Sequence, residues 1–199
     1  MSAQLDDQAL DIILRNARTY RKWIDRPVSD NLLKQLHELA KWGPTSSNIC
    51  PMRLVFVKSK EAKERLKPSL SSGNVEQTMT APVCVIVAQD SRFYELMPKL
   101  SPHNPKIAEH FAKPENAEST RVHAFRNSSL QGAYLILTAR ALGLDAGPMS
   151  GFDNDKLDAE FFPDGRYKSN FLLNLGYGDP SKLHPRAPRP EFDEACKIL

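Results

Sequence analysis

The sequence predicts an α+β domain with helices on both sides of a small sheet. Three observations carry that reading. Amphipathic helical periodicities and strand-like apolar runs both occur. They follow one another irregularly, without the regular alternation of a parallel βαβ protein. One run, Pro82–Gln89 (PVCVIVAQ), is continuous and β-branched, as in a strand covered on both faces. At 199 residues the chain has the length of a single domain, 1–199, and can bury a full core without disulfides or a structural metal.

Leu5, Ala9, Leu10, Ile13 and Leu14 recur at helical spacing and predict an amphipathic helix over 5–18. Ser29-Asp30 opens a second helix after Pro27, with Leu32, Leu36, Leu39 and Ala40 facing inward and Gly43-Pro44 ending it. A polar loop, Thr45–Pro51, follows. Arg53–Lys58 reads as a strand, and Lys60–Leu66 as a charged helix that stops before Pro68. Ser71–Asn74 is a turn leading into a short helix up to Thr80. In Pro82–Gln89, three valines and an isoleucine favour strand over helix. Residues 98–114 hold four prolines and predict an irregular excursion with short helical pieces, a candidate wall or lid. A long helix spans Glu118–Leu142. Its second half, AYLILTARAL, is apolar nearly all round, which places it centrally or at a subunit contact. Gly143 ends it. Leu144–Phe152 reads as a glycine-punctuated loop, Asn154–Phe161 as a short helix and Ser169–Leu175 as the last strand. Four prolines in the eleven residues Pro180–Pro190 make an extended surface arm.

Composition narrows the function classes. With 41% hydrophobic and 26% charged residues, a disordered chain, a collagen-like chain and a disulfide scaffold are excluded. The longest apolar run, around Ala133–Ala139, is too short to span a bilayer, so no membrane partner is expected. The first twenty residues contain Asp6, Asp7 and Asp11 and no apolar segment of the secretory kind, which points to the cytoplasm. The net charge of +3 does not call for nucleic acid, because bases and acids are interleaved. The exception is Arg15–Arg26, five basic residues against one acid, which suits a small anion as well as a polyanion. Cys50, Cys84 and Cys196 are too scattered for a zinc site or a disulfide framework, and Cys84 reads as a small buried hydrophobe. Cys50 is a nucleophile only in principle, since no histidine lies near it in sequence. The five histidines show no metal-binding spacing. No dinucleotide fingerprint, P-loop or nucleophile elbow is present.

Four polar clusters remain. Arg18-Thr19-Tyr20-Arg21 offers guanidinium forks and a hydroxyl, which match phosphate oxygens; its plain alternative is a solvated helix end. Pro44-Thr45-Ser46-Ser47-Asn48 is rich in neutral donors and acceptors, or is a simple helix-ending turn. Asn74 and Gln77 lie one helical turn apart, or are a cap region. Gly147–Gly151 lets a ligand approach the backbone closely, or is a run of sharp turns. Singly, none is specific.

Their order is more informative. R-T-x-R-K-W (Arg18–Trp23) precedes W-G-P-T-S-S-N-x-x-P-x-R (Trp42–Arg53) and a strand. Asn74 then stands before Ala81-Pro82-Val83 and a second strand. GPMSGF (Gly147–Phe152), LGYGD (Leu175–Asp179) and a basic proline-rich tail follow. In this order the sequence resembles the FMN-dependent nitroreductase family over almost its whole length. Ala40–Asn48, Ser71–Asn74 and Gly147–Phe152 look most like the branch that contains the malonic semialdehyde reductase of pyrimidine degradation.

The resemblance implies a three-layer α-β-α fold with a small mixed, mostly antiparallel sheet. It implies a homodimer with an extended C-terminal arm and two FMN sites at the interface. Arg18, Thr19 and Arg21 match the motif for the FMN phosphate and ribityl chain, although Ala17 stands where the family often has a further base. Pro44, Thr45, Ser46, Ser47 and Asn48 match the loop that reaches the flavin from the partner subunit. Asn74 matches the position that hydrogen-bonds the pyrimidine side of the ring. Gln77 stands where relatives have Lys, which implies a lower flavin reduction potential. Pro148, Met149, Ser150 and Gly151 match the segment against the ring, and Arg186 and Arg189 the basic positions that close over the phosphate. Cys50-Pro51-Met52 replaces the common Q-P-W and alters one wall.

The implied activity is hydride transfer from NADH or NADPH through FMN to a small organic acceptor, by ping-pong kinetics. The acceptor implied is malonic semialdehyde, giving 3-hydroxypropionate, or a nitro or quinone compound. The resemblance requires no side chain as acid or base, so no catalytic residue is assigned. A carboxylated aldehyde needs a nearby cation, and Arg121 and Arg126 are candidates. The alternatives are a flavin-binding carrier or sensor without turnover, and a small-anion or nucleic-acid module built on Arg15–Arg26 that would hold no chromophore.

Overall fold

Val83–Asp90 runs through the middle of the computed structural model, which describes residues 4–199; residues 1–3 of the expected domain lie outside it. All eight residues of this strand are buried, as its unbroken β-branched run predicts. The strands are β1 (Met52–Val57), β2 (Val83–Asp90), β3 (Asp145–Met149) and β4 (Tyr167–Gly176). They pair in the order β1-β2-β4-β3, with every ladder antiparallel. Among the described residues, the parallel pairing is an isolated bridge between Thr19 and Ala146.

Alternation along β2 sorts the two covering layers. Val83, Val85 and Val87 point into a core shared with helices α2 (Asp30–Ala40) and α7 (Ala117–Ala141), through Leu33, Leu36, Ala40, Leu135 and Ala139. Cys84, Ile86 and Ala88 point to the opposite core. There Leu66 of α3 (Lys60–Leu66) and Leu157 of α8 (Asn154–Phe161) are fully buried, and Val75 of α4 (Ser72–Thr80) packs alongside. Burial pushes the Cys84 thiol up to about 12, as expected of a cysteine that packs as a small hydrophobe.

Several elements differ from the sequence reading. The N-terminal helix ends early: α1 (Asp7–Leu10) passes into a π-helical turn at Asp11–Arg15. Residues 18–23 therefore lie along the sheet edge, bridged to it at Thr19 and Trp23 with a bend at Arg21-Lys22, and not at a helix end. Leu5 and Leu14 of the expected face are about half exposed, whereas Ala9, Leu10 and Ile13 are partly buried, so the face is only partly covered within the described chain. Leu32 packs against the core as expected and Leu33 is buried beside it, while Leu39 is 49% exposed.

Leu144–Phe152 is not a loop, because Asp145–Met149 forms β3. Gly147 and Pro148 suppress the strand signal, and pairing to β4 overrides it; Pro148 is tolerated because β3 is an edge strand. The excursion is also more ordered than its prolines suggest. Short helices α5 (Met97–Leu100) and α6 (Pro105–Ala112) enclose a third core of Ile49, Phe93, Met97, Phe111 and Ala124. After β4 the chain is extended through residues 183–190, as the prolines predict, then makes one short turn of helix, α9 (Phe192–Ala195).

Candidate functional site

Three of the four polar clusters meet along β3. Tyr20 N–H donates to the Ala146 carbonyl at 3.2 Å, which seats residues 18–20 beside that strand. A Cβ on Gly147 would stand 2.5 Å from the Tyr20 carbonyl oxygen, so this approach needs glycine. Trp23 Nε1 donates to the Gln77 carbonyl at 2.9 Å, and Lys22 pairs with Glu76, which ties the same segment to α4.

Asn74 and Gly151 lie in contact. Asn74 Nδ2 donates to the Gly151 carbonyl at 2.8 Å, and Gln77 Nε2 donates to Asn74 Oδ1 at 2.5 Å. A Cβ on Gly151 would meet Asn74 Nδ2 at 2.5 Å. Gln77 is buried, so its amide orients Asn74 rather than facing outward. Asn174 Nδ2, in the interior of β4, supports the Gln77 carbonyl at 3.2 Å. A carboxamide has two donor hydrogens and two acceptor lone pairs. Asn74 has spent one of each on protein partners and keeps one of each. Nearby Pro148 and Ser150 are exposed, whereas Met149 turns into the core, where its sulfur meets Thr78 Oγ1.

The basic groups divide. Arg18 donates to the His184 carbonyl, and Arg186 Nη2 to the Ala17 carbonyl at 2.8 Å, so the tail crosses the N-terminal segment here. Arg18, Tyr20, Arg140 and Asp145 border a cavity of about 210 Å³. Burial, with Arg186 nearby, lowers the Arg140 pKa, and its Nε is buried without a partner. Burial raises both Asp145 and Tyr20. Thr19 and Arg21 are exposed on the same segment. Arg189 is apart from them: it bonds the carbonyls of Ala187 and Pro188 in its own tail. Arg140 was not singled out from the sequence, though a lone cation inside AYLILTARAL was a usable signal.

The remaining cluster, Pro44–Asn48, stands at the opposite edge, just before β1. Ser46 N–H donates to Asn127 Oδ1 on α7 at 2.8 Å, and Asn48 Nδ2 to the Leu100 carbonyl at 2.7 Å. Thr45 Oγ1 accepts from Cys50 N–H at 3.2 Å. Ser47, Asn48 and Cys50 have φ of 49°, 54° and 39°, three left-handed residues without a glycine, interrupted by Ile49 at −69°. Arg121 and Arg126 do not stand here. Arg121 is paired to Glu118 by two bonds, at 2.8 and 2.7 Å, and Arg126 lies on the outer face of α7.

A polar constellation spread over both edges of a four-stranded antiparallel sheet can be compared with known proteins. The nitroreductase family model matches residues 14–177. The chain belongs to the nitroreductase family. Two relatives carry the name "Putative NADH dehydrogenase/NAD(P)H nitroreductase". That of Polynucleobacter asymbioticus is 56% identical over 199 residues, all of both chains. That of Rhodopseudomonas palustris is 55% identical over the same span. Solved structures show the same nitroreductase fold. One, a "putative nitroreductase" from Bacillus subtilis, matches with TM-score 0.85 at 20% identity, over 98% of this chain and all of the other. Another, a "putative nitroreductase in complex with FMN" from Exiguobacterium sibiricum, matches with TM-score 0.81 at 23% identity, over 99% of this chain and all of the other. Among the described residues, no helix is long and apolar enough to cross a membrane.

Proposed function

We propose that residues 1–199 form a single FMN-binding domain of a cytoplasmic NAD(P)H oxidoreductase, which passes hydride to a small organic acceptor. The observation that carries this reading is the Asn74–Gly151 contact. It leaves one donor and one acceptor of Asn74 beside a strand edge with exposed backbone, and Arg18 and Arg186 meet on the segment that crosses the same edge. That donor set fits FMN: a paired amide edge for the pyrimidine ring, and guanidinium forks for the phosphate. Bound FMN supplies reversible hydride transfer. The chain's own residues bind and orient it. Gln77 fixes the Asn74 amide, Trp23 and Asn174 fix the Gln77 backbone, and Gly151 keeps the approach free of a side chain. The names of the relatives, with NAD(P)H as donor, support the activity.

The assembly is a homodimer in this reading. Pro44–Asn48 and the β3 cluster occupy opposite edges of one sheet, three strand spacings or about 14 Å apart. A second copy brings its own loop to the β3 edge. Large apolar groups are exposed where such a copy would pack: Trp42 (77%), and Phe125, Leu130 and Tyr134 on α7. As the physiological acceptor we propose malonic semialdehyde, reduced to 3-hydroxypropionate; the match of Ala40–Asn48, Ser71–Asn74 and Gly147–Phe152 to that branch supports it.

The test is the visible spectrum of the purified protein before and after anaerobic NADH or NADPH. A flavin spectrum that bleaches is the expected result. One that persists with both donors makes the protein a flavin carrier or sensor. Failure to take up FMN on reconstitution rejects the reading.

A further inference from the structure

Beside the Pro44–Asn48 loop lies a cavity of about 670 Å³. Its floor is Asn48, Cys50 and Met52, one wall is Gln131 of α7, and the other is Leu96, Lys99 and Leu100 of the excursion. Its charged lining is wholly basic: Lys41, Arg53 and Lys99, with no aspartate or glutamate. Two of these cations are already matched. Lys41 pairs with Glu38, and Arg53 with the buried Asp90. Lys99 has no carboxylate within ion-pair distance among the described residues.

Gln131 supplies a second, independent observation. The residue is only 4% exposed. Its Oε1 accepts from Met52 N–H at 3.0 Å. Its Nε2 has no hydrogen-bond partner among the described residues. The bond to Met52 holds the side chain in place, and Nε2 keeps contact with the cavity, so it is a positioned donor open to a ligand oxygen.

We infer that this cavity binds the carboxylate of a small acceptor, with Lys99 as counter-charge and Gln131 Nε2 as the neutral donor. A carboxylate has about four acceptor sites on two oxygens, so it can take both bonds together. Lys99 is exposed at the cavity, and its unpaired charge favours an anion over a neutral molecule of the same shape, less so at high salt. Lys99 and Gln131 therefore take the role that the sequence assigned to Arg121 or Arg126. This inference rests on the oxidoreductase reading and deepens it, since it assigns residues to the acceptor's carboxylate.

The test does not depend on turnover. Malonate binding to the FMN-reconstituted protein is measured by calorimetry, with malonamide as the uncharged isostere and no nicotinamide present. Wild type should bind malonate and not malonamide. Lys99→Met should weaken malonate binding about tenfold. Gln131→Glu keeps an oxygen for Met52 N–H but replaces the donor with a negative group, and should abolish binding. Lys106→Met, a lysine change elsewhere in the excursion, should leave it unchanged. Malonate binding that is absent in wild type, or that survives both Lys99→Met and Gln131→Glu, overturns the inference. If Gln131→Glu does not fold, the exposed Lys99→Met still decides. Failure of both NADH and NADPH to bleach the flavin sinks the oxidoreductase reading but leaves the malonate result standing, so the two failures are separable.

Discussion

The two edges of the sheet are finished in different ways. At the β3 edge the chain covers itself: residues 18–23 lie along the strand, Trp23 and Asn174 hold Gln77, and Gln77 holds Asn74 against Gly151. At the β1 edge nothing in the described chain pairs with the strand's outer side. The loop before it carries three left-handed residues, and the recess beside it has an amide nitrogen and a lysine that find no partner among the described residues. The β3 edge is preorganised, and in the proposed reading it is the wall that binds the flavin. The β1 edge has the marks of a surface completed by something else, a substrate or a second copy. Preorganisation costs little at the moment of binding, because ordering has already occurred on folding. An unmatched edge keeps its hydrogen-bonding capacity for the partner.

The largest expected effect breaks what holds the two edges to one frame. Asp90 is fully buried and bonds Arg53 at 2.7 Å and Arg166 at 3.0 Å, which links β1 to the start of β4. Asp90→Ala should cost about 3 kcal/mol in denaturant unfolding, because two partly buried guanidiniums lose their carboxylate. A loss below about 1 kcal/mol would show that the triad is only a surface feature. Next, Gly151→Ala pushes a methyl into Asn74 Nδ2. We expect FMN affinity to fall about 30-fold, equivalent to about 2 kcal/mol, with folding intact by circular dichroism. Unchanged affinity would remove the Asn74–Gly151 contact from the binding wall.

Gln77→Lys is a smaller probe of the same wall. An ammonium near a reduced, anionic flavin should raise the two-electron potential by about 30 mV in a potentiometric titration, or about 1.4 kcal/mol. An equal or lower potential would mean that Gln77 acts only by orienting Asn74. The smallest effect contrasts two accessible thiols with a buried one. Cys50, in the β1-edge loop, and the exposed Cys196 should react with a disulfide reagent in the native protein, whereas Cys84 should not. Three reactive thiols without denaturant would contradict the buried placement. The pH sign follows. The Cys84 thiol is raised from an ordinary value of 9.0 to about 12 in the folded state. The unfolded chain therefore releases its proton first, and stability is lost as pH rises through that window.

Elements whose information is local were legible in the sequence. Lys60–Leu66 and Asn154–Phe161 match their expected boundaries, because Ser59 and Asp153 cap the first turns with their own side chains. Gly143 ends the long helix at φ +75°, which a glycine signals without tertiary help. β3 was not legible: Gly147 and Pro148 are poor strand formers, and only β4 makes them a strand. Nor was the role of Gln77, whose amide reads the same whether it faces a ligand or Asn74.

The sequence by itself determined the alternation of buried and covered elements, the central β2 strand and the four polar clusters, because periodicity, capping and composition act over a few residues. Only the tertiary structure decided that three clusters share the β3 edge while Pro44–Asn48 stands at the other. It alone brought Lys99 and Gln131 to one cavity. Those outcomes depend on pairing between segments far apart in the chain, such as Tyr20 with Ala146 or Asn74 with Gly151, and no local rule encodes which distant backbone a segment will meet.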